Sequence, residues 1–138
     1  MAFTVRQKIL FKHCDPAGIV FYPRYFEIMN DCTEAFFADA LHWPFEELLK
    51  TAAIPTAQIS AQFQAPSHHG DHLDIALGIA RLGRSSVDLT FHATCGDETR
   101  FTAQSTLVHI SQNGRSQSWP DALRPAFVPH IIGDQNDS

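Results

Sequence analysis

The residues best able to do chemistry stand at positions 13–25, His-Cys-Asp-Pro-Ala-Gly-Ile-Val-Phe-Tyr-Pro-Arg-Tyr. Asp15 lies in a loop marked by Pro16 and Gly18, and that loop leads into the start of an apolar helix. Hydrolysis of an activated acyl group has two requirements: a carboxylate that attacks the carbonyl or activates water, and N–H donors for the oxyanion. Asp15 meets the first. The helix start meets the second, because its first N–H groups lack intrahelical partners and sit at the positive end of the helix dipole. Gly18 lets the loop backbone approach a substrate closely. A plainer use of Asp15 is to close the loop by accepting backbone N–H bonds, as Asp before a turn commonly does.

Three other groupings invite a chemical reading. His13 and Cys14 adjoin Asp15 like a Cys/His nucleophile pair, but neighbours in an extended chain point to opposite faces, and a buried Cys is more often a small hydrophobe. His13 is kept as a residue lining the site. His68, His69, Asp71 and His72 raise the question of a metal. His68 and His72 would share a face only on a helix, whereas Pro66 and Gly70 mark a turn, so no metal is expected. Arg84, Ser85 and Ser86 offer a cation and hydroxyls of the kind that hold phosphate, in a segment that also reads as an ordinary solvated turn.

The elements that must position these residues are legible from periodicity. Residues Phe3 to His13 alternate, with Phe3, Val5, Ile9 and Phe11 on one face, which predicts a half-buried strand. After the loop, Tyr22, Tyr25, Phe26, Met29, Thr33, Phe36, Phe37 and Ala40 follow one helical face. Pro23 suits the first turn and the helix should end near Leu41 to Pro44. A short helical piece follows over Pro44 to Thr51, with Glu46 and Glu47 early and Lys50 late. Beyond Pro55 four strands are expected. The first carries Ala57, Ile59, Ala61, Phe63 and Ala65 on its apolar face. Leu73 to Ile79 and Val87 to Ala93 form a hairpin, and Arg100 to Ser111 is the last strand, ending at the Asn113-Gly114 turn. Pro120 to Phe127 makes a final helical turn. The fold class is therefore α+β: an antiparallel sheet of about five strands wrapped round one long helix. One domain is expected over residues 1–132, and residues 133–138 form a tail polar enough to be disordered.

Composition narrows the function. The 138 residues carry 10 basic and 15 acidic side chains, a net charge of −5, and the basic residues are scattered singly, so nucleic acid is not an expected partner. No apolar run nears the roughly 20 residues of a membrane-spanning helix, and no signal-peptide pattern opens the chain. Three cysteines at unrelated spacings fit reduced thiols and a cytoplasmic location.

Residues His13 to Tyr25, and most specifically Cys14 to Tyr22, resemble the signature of 4-hydroxybenzoyl-CoA thioesterases, a branch of the hotdog-fold acyl-CoA thioesterase superfamily. The order of elements and Gly70-Asp71 ahead of a strand extend the likeness. The resemblance implies a hotdog subunit that dimerises into a continuous sheet, with active sites at the dimer interface and usually a tetramer. It implies Asp15 as the catalytic carboxylate, the Tyr22 backbone N–H as the donor to the thioester oxygen, and the Arg84, Ser85 and Ser86 hairpin as a contact for the phosphates of CoA. No cofactor is implied, since coenzyme A is part of the substrate.

In that family an Asp on the long helix accepts a hydrogen bond from the substrate's phenol. The corresponding position here is Asn30, and Asp31 lies one residue on, about 100° round the helix. Tyr25, Phe26 and Met29 share the face and could enclose a ring, although the same stripe also serves helix packing. The expected substrate is an aryl- or arylacyl-CoA, 4-hydroxybenzoyl-CoA-like, with less dependence on a para hydroxyl. Thioesterases for short aliphatic or carrier-protein-bound acyl groups resemble this signature but have His after the Tyr, where this chain has Pro23. Hotdog dehydratases pair an Asp with a His five residues on, where this chain has Val20. A non-catalytic acyl-CoA binding subunit is the alternative of a different class.

Overall fold

The computed structural model describes residues 3–132; the polar tail over 133–138 lies outside the described residues. Strand β1 spans Phe3–Lys8, followed by helix α1 over Pro23–Ala35, which continues as a wider π turn through Phe36–Ala40. A short α2 (Phe45–Leu48) and a two-residue β2 (Ala52–Ala53) lead to β3 (Thr56–Phe63), β4 (His72–Leu82), β5 (Ser86–Cys95) and β6 (Glu98–Val108). The chain closes with β7 (Ile110–Ser111) and α3 (Arg124–Phe127). The main sheet is antiparallel in the order β1-β4-β5-β6-β3, and β2 pairs with β7 in a separate ribbon. This is the expected α+β arrangement of five strands around one long helix.

Period-two alternation builds the buried face. Leu73, Ile75, Leu77 and Ile79 of β4, Val87, Leu89, Phe91 and Ala93 of β5, and Phe101, Ala103, Ser105 and Leu107 of β6 all point into the core. Each large side chain buried there contributes about 1.5–3 kcal/mol. The helix lays Tyr25, Ile28, Met29, Cys32, Phe36 and Phe37 against that face. Phe36 and Phe37 are adjacent and both fully buried, as Ile28 and Met29 are earlier in the helix. The π turn, with Leu41 N–H bonded to Phe36 C=O at 3.2 Å, widens the helix there.

Four details depart from the periodicity. β1 stops at Lys8, because the chain coils into a 3₁₀ turn over Phe11–His13, and Phe11 is 80% exposed rather than inward. Tyr22 precedes the helix and is exposed, while Ile28 and Cys32 join the buried face in its place. The expected inner face of β3 remains open, with Ile59 and Phe63 exposed at an edge of the sheet that the long helix covers only in part. The small β2–β7 ribbon had no periodic signal, since two-residue strands are too short to carry one.

Candidate active site

The loop between β1 and α1 is laid against the segment just before β4. Isolated bridges join Cys14 to Val20 and Ile19 to His68, and Val20 N–H bonds Ser67 C=O at 2.9 Å while His69 N–H bonds Gly18 C=O at 3.1 Å. Within the loop, Asp15 N–H donates to Ile19 C=O and Gly18 N–H to Asp15 C=O, each at 2.9 Å. Gly18 has φ +81°, and a Cβ there would meet nothing within 4 Å, so glycine is required by conformation rather than by space. The half-buried Asp15 does close the loop, its Oδ1 accepting Ala17 N–H at 2.9 Å. That bond orients the carboxylate, and Oδ2 accepts no hydrogen bond from the described residues.

The helix start is built so that one donor is left over. Pro23 has no N–H, Arg24 N–H bonds Phe21 C=O at 2.8 Å, and Tyr25 N–H bonds Tyr22 C=O at 3.0 Å. Tyr22 N–H has no backbone partner among the described residues. A fixed carboxylate and a spare amide at the positive end of a helix dipole are the two groups that hydrolysis of a thioester needs.

The other expected residues divide. His13 is buried, and its Nδ1 accepts Leu10 N–H at 2.9 Å, which fixes the neutral tautomer with its proton on Nε2. Burial, seconded by Lys12, holds its pKa below the ordinary value against the opposing pull of Glu27 and Asp31. His13 thus supports the turn that delivers Asp15. Phe26, Met29 and Asn30 line a cavity of about 330 Å³ with Thr33, Ile59 and Phe91. A second, of about 340 Å³, continues past Asn30 and Thr33 to Phe45, Leu49 and Ile54. Tyr25 lines neither cavity; its ring stacks on Phe63 at 5.2 Å and meets Phe101 at 4.9 Å with the planes tilted by 51°. Asp31 also lines neither, and lies instead within electrostatic range of His13, as one residue of helical rotation requires.

Arg84, Ser85 and Ser86 are not brought to this loop within one chain. The loop sits before β4 and the hairpin after it, and the eleven residues of β4 span about 33 Å. The hairpin backbone is used to anchor the C-terminal segment: Trp119 N–H bonds Arg84 C=O at 2.9 Å, and Trp119 Nε1–H bonds Ser86 C=O at 3.0 Å. The histidines near position 70 also diverge. His69 packs on Phe11, with ring centroids 6.0 Å apart, and His68 lies 3.8 Å from an Asp71 already bound to Arg100. The Arg100 hydrogen bond, with the His68 N–H, holds the Asp71 carboxyl below the usual carboxylate range. Burial pushes the Cys32 thiol up to about 12, which makes it a packing residue and not a nucleophile. Sequence reasoning missed Ser67 and Arg100. Arg100 falls at the start of the strand expected from Arg100 to Ser111 and had no other signal.

Comparison with known proteins places the chain in a family. Residues 9–127 match the model of the thioesterase-like superfamily. A 1,4-dihydroxy-2-naphthoyl-CoA hydrolase of Nostoc punctiforme is 26% identical over 125 residues, covering 89% of this chain and 84% of that protein. A solved gentisyl-coenzyme A thioesterase is 28% identical with a TM-score of 0.81, covering 91% of this chain and 99% of its own. The dynemicin thioesterase, at 18% identity, shares the fold with a TM-score of 0.89 over 97% of this chain and 100% of that one. The chain accordingly belongs to the thioesterase-like superfamily, as a thioester-hydrolysing enzyme of hotdog fold.

Proposed function

We propose that the protein hydrolyses an aryl- or arylacyl-CoA to the free acid and CoA. Asp15 acts as nucleophile or general base and the Tyr22 amide receives the developing oxyanion. The observation that carries this is the oriented Asp15 carboxylate on the loop that ends at an unpaired Tyr22 N–H. Water supplies the hydroxyl of the acid and the proton that leaves on the CoA thiol, and the reading invokes no metal or prosthetic group.

The acyl group belongs beside α1, where Phe26, Met29, Thr33 and Phe91 offer apolar walls and Asn30 a polar edge. Two relatives are named for aromatic CoA esters, naphthoyl and gentisyl, which supports an aromatic acyl group here. The 4-hydroxybenzoyl branch is the finer reading. Against its phenol, Asn30 offers a neutral acceptor in place of a carboxylate, a difference of about 1 kcal/mol or more. The expected ranking of kcat/KM puts benzoyl- and phenylacetyl-CoA well above butyryl-CoA, with 4-hydroxybenzoyl-CoA within about tenfold of benzoyl-CoA. A large lead for butyryl-CoA overturns the aryl assignment, and a strong lead for the 4-hydroxy compound overturns the inference from Asn30.

The enzyme works as a dimer or tetramer in this reading. β3 is an unpaired edge with Ile59 and Phe63 exposed at 42% and 44%, beside the exposed Tyr22. Pairing of two β3 edges would cover that surface and the open side of the acyl cavity. A neighbouring copy would also offer a route by which an Arg84–Ser86 hairpin reaches a CoA held at the Asp15 loop. Light scattering should give a mass of at least twice 15.4 kDa. A monomer that turns over acyl-CoA would sink the interfacial site. The location proposed is cytoplasmic; among the described residues no helix is long and apolar enough to cross a membrane.

A further inference from the structure

We propose that Arg100 is a positioning residue for catalysis: its guanidinium clamps the segment 66–71 against which the Asp15 loop is laid, and so sets where the carboxylate stands relative to the Tyr22 amide. The inference rests on the reading of Asp15 as the catalytic carboxylate.

Arg100 lies near the start of β6 with only 11% of its side chain exposed. Its Nη1 donates to Asp71 Oδ2 at 2.7 Å, and to Pro66 C=O and Ser67 Oγ at 3.2 Å each. Two hydrogens thus serve three acceptors, with the shortest bond going to the one that carries charge. Asp71 Oδ2 accepts His68 N–H at 2.9 Å as well, which ties the two ends of the turn to one carboxylate. Arg100 Nε sits 2.6 Å from Oε1 of the exposed Glu98, an ion pair on the opposite side of the guanidinium from segment 66–71. The Arg100 carbonyl also accepts the N–H groups of Gln64 and Ala65, so the chain leaving β3 is fastened to this residue before its side chain takes hold.

The clamped segment is then the rail for the loop. The bonds from Val20 N–H to Ser67 and from His69 N–H to Gly18 flank the Asp15 turn on its far side, and the remaining backbone bonds of Asp15 are internal to the loop. On the opposite side the rail is tied to the residue that follows β1, through Ile9 N–H to Asp71 C=O at 2.7 Å and Gly70 N–H to Ile9 C=O at 2.8 Å. Arg100 touches no part of the 13–22 loop in the hydrogen bonds and ion pairs above, so its effect on chemistry is through position alone. A misplacement of about 1 Å can cost about a hundredfold in rate without weakening binding.

The test compares Arg100→Gln, Asp71→Asn and Arg100→Lys with the parent enzyme in kcat, KM and thermal unfolding. Arg100→Gln and Asp71→Asn should each lower kcat by about 10- to 100-fold with KM within about threefold, at temperatures where both remain folded. Arg100→Lys keeps the charge and three donors but not the planar fork, and should recover part of the loss. The Arg100→Gln/Asp71→Asn double variant should be little worse than either single, because the two side chains act as one unit. Asp71→Asn, nearly isosteric, carries the test if Arg100→Gln fails to fold. A folded Arg100→Gln or Asp71→Asn enzyme with kcat within about threefold of the parent overturns the clamp, as does a loss confined to KM. Asp15→Asn run alongside separates the two readings: if it is inactive while the clamp variants are active, only the clamp is wrong, and if it is active, the site itself is wrong.

Discussion

Asp15→Asn should lower kcat on the best acyl-CoA substrate by about 10²- to 10⁴-fold, the range for loss of a general acid–base group, or about 3–5 kcal/mol of transition-state stabilisation. The substitution keeps the shape of the side chain, and the Asn Oδ1 can still accept Ala17 N–H, so the loop should hold its conformation. What is lost is the second oxygen's negative charge, the part of the residue that the loop does not use. CoA affinity should be unchanged, and the Tyr22 N–H should still polarise the thioester, which leaves a residual rate above background. A purified variant that retains more than about a tenth of the parent rate would show that Asp15 only closes its loop. Labelled water in a single turnover and trapping with hydroxylamine together separate the two catalytic paths: label in the Asp15 carboxylate, or a hydroxamate formed on Asp15, marks an anhydride, and label in the acid alone with no trapped adduct marks direct attack by water.

Trp119→Ala should cost about 3–5 kcal/mol of folding stability, a large share of the 5–15 kcal/mol typical of a domain, and lower Tm by about 10 °C or more. Trp119 is 1% exposed although it lies in an irregular segment. Its ring stacks on His109 at 4.9 Å and 8°, and meets Phe127 at 5.2 Å and Phe37 at 6.5 Å. Its Nε1–H bonds Ser86 C=O. Removing it opens a cavity where the C-terminal segment covers the end of the sheet. Trp119→Phe keeps an aromatic ring on His109 and loses mainly the hydrogen bond, for about 1–2 kcal/mol. Ser86 C=O retains the Gly83 N–H at 2.8 Å, so no acceptor is orphaned. Denaturant unfolding of the two variants checks the ranking, and an alanine variant within about 1 kcal/mol of the parent would mean the segment adds little to the core.

Much of the molecule was legible in the order of its residues. Alternation over Leu73 to Ile79 and Val87 to Ala93 is a local property, and it marks two of the three interior strands and their buried faces. Pro23 and the aromatic stripe placed the long helix for the same reason. Asp15, Pro16 and Gly18 marked the candidate site because a turn leaves its mark in residue type at short range, and the structure finds Gly18 at positive φ. Other features depended on residues far apart in sequence. Tyr22 fits the helical stripe by spacing, but the chain enters the helix one residue later and leaves its ring in solvent and its N–H unpaired. β3 reads like any half-buried strand, and only the tertiary structure makes it an edge and leaves its apolar face uncovered. Trp119 has no periodic neighbours to announce its burial. Arg100 meets Asp71 across 29 positions. The energy of such a pair comes from two charges brought together by other elements, so tertiary structure alone decides that it exists, and no local pattern encodes it.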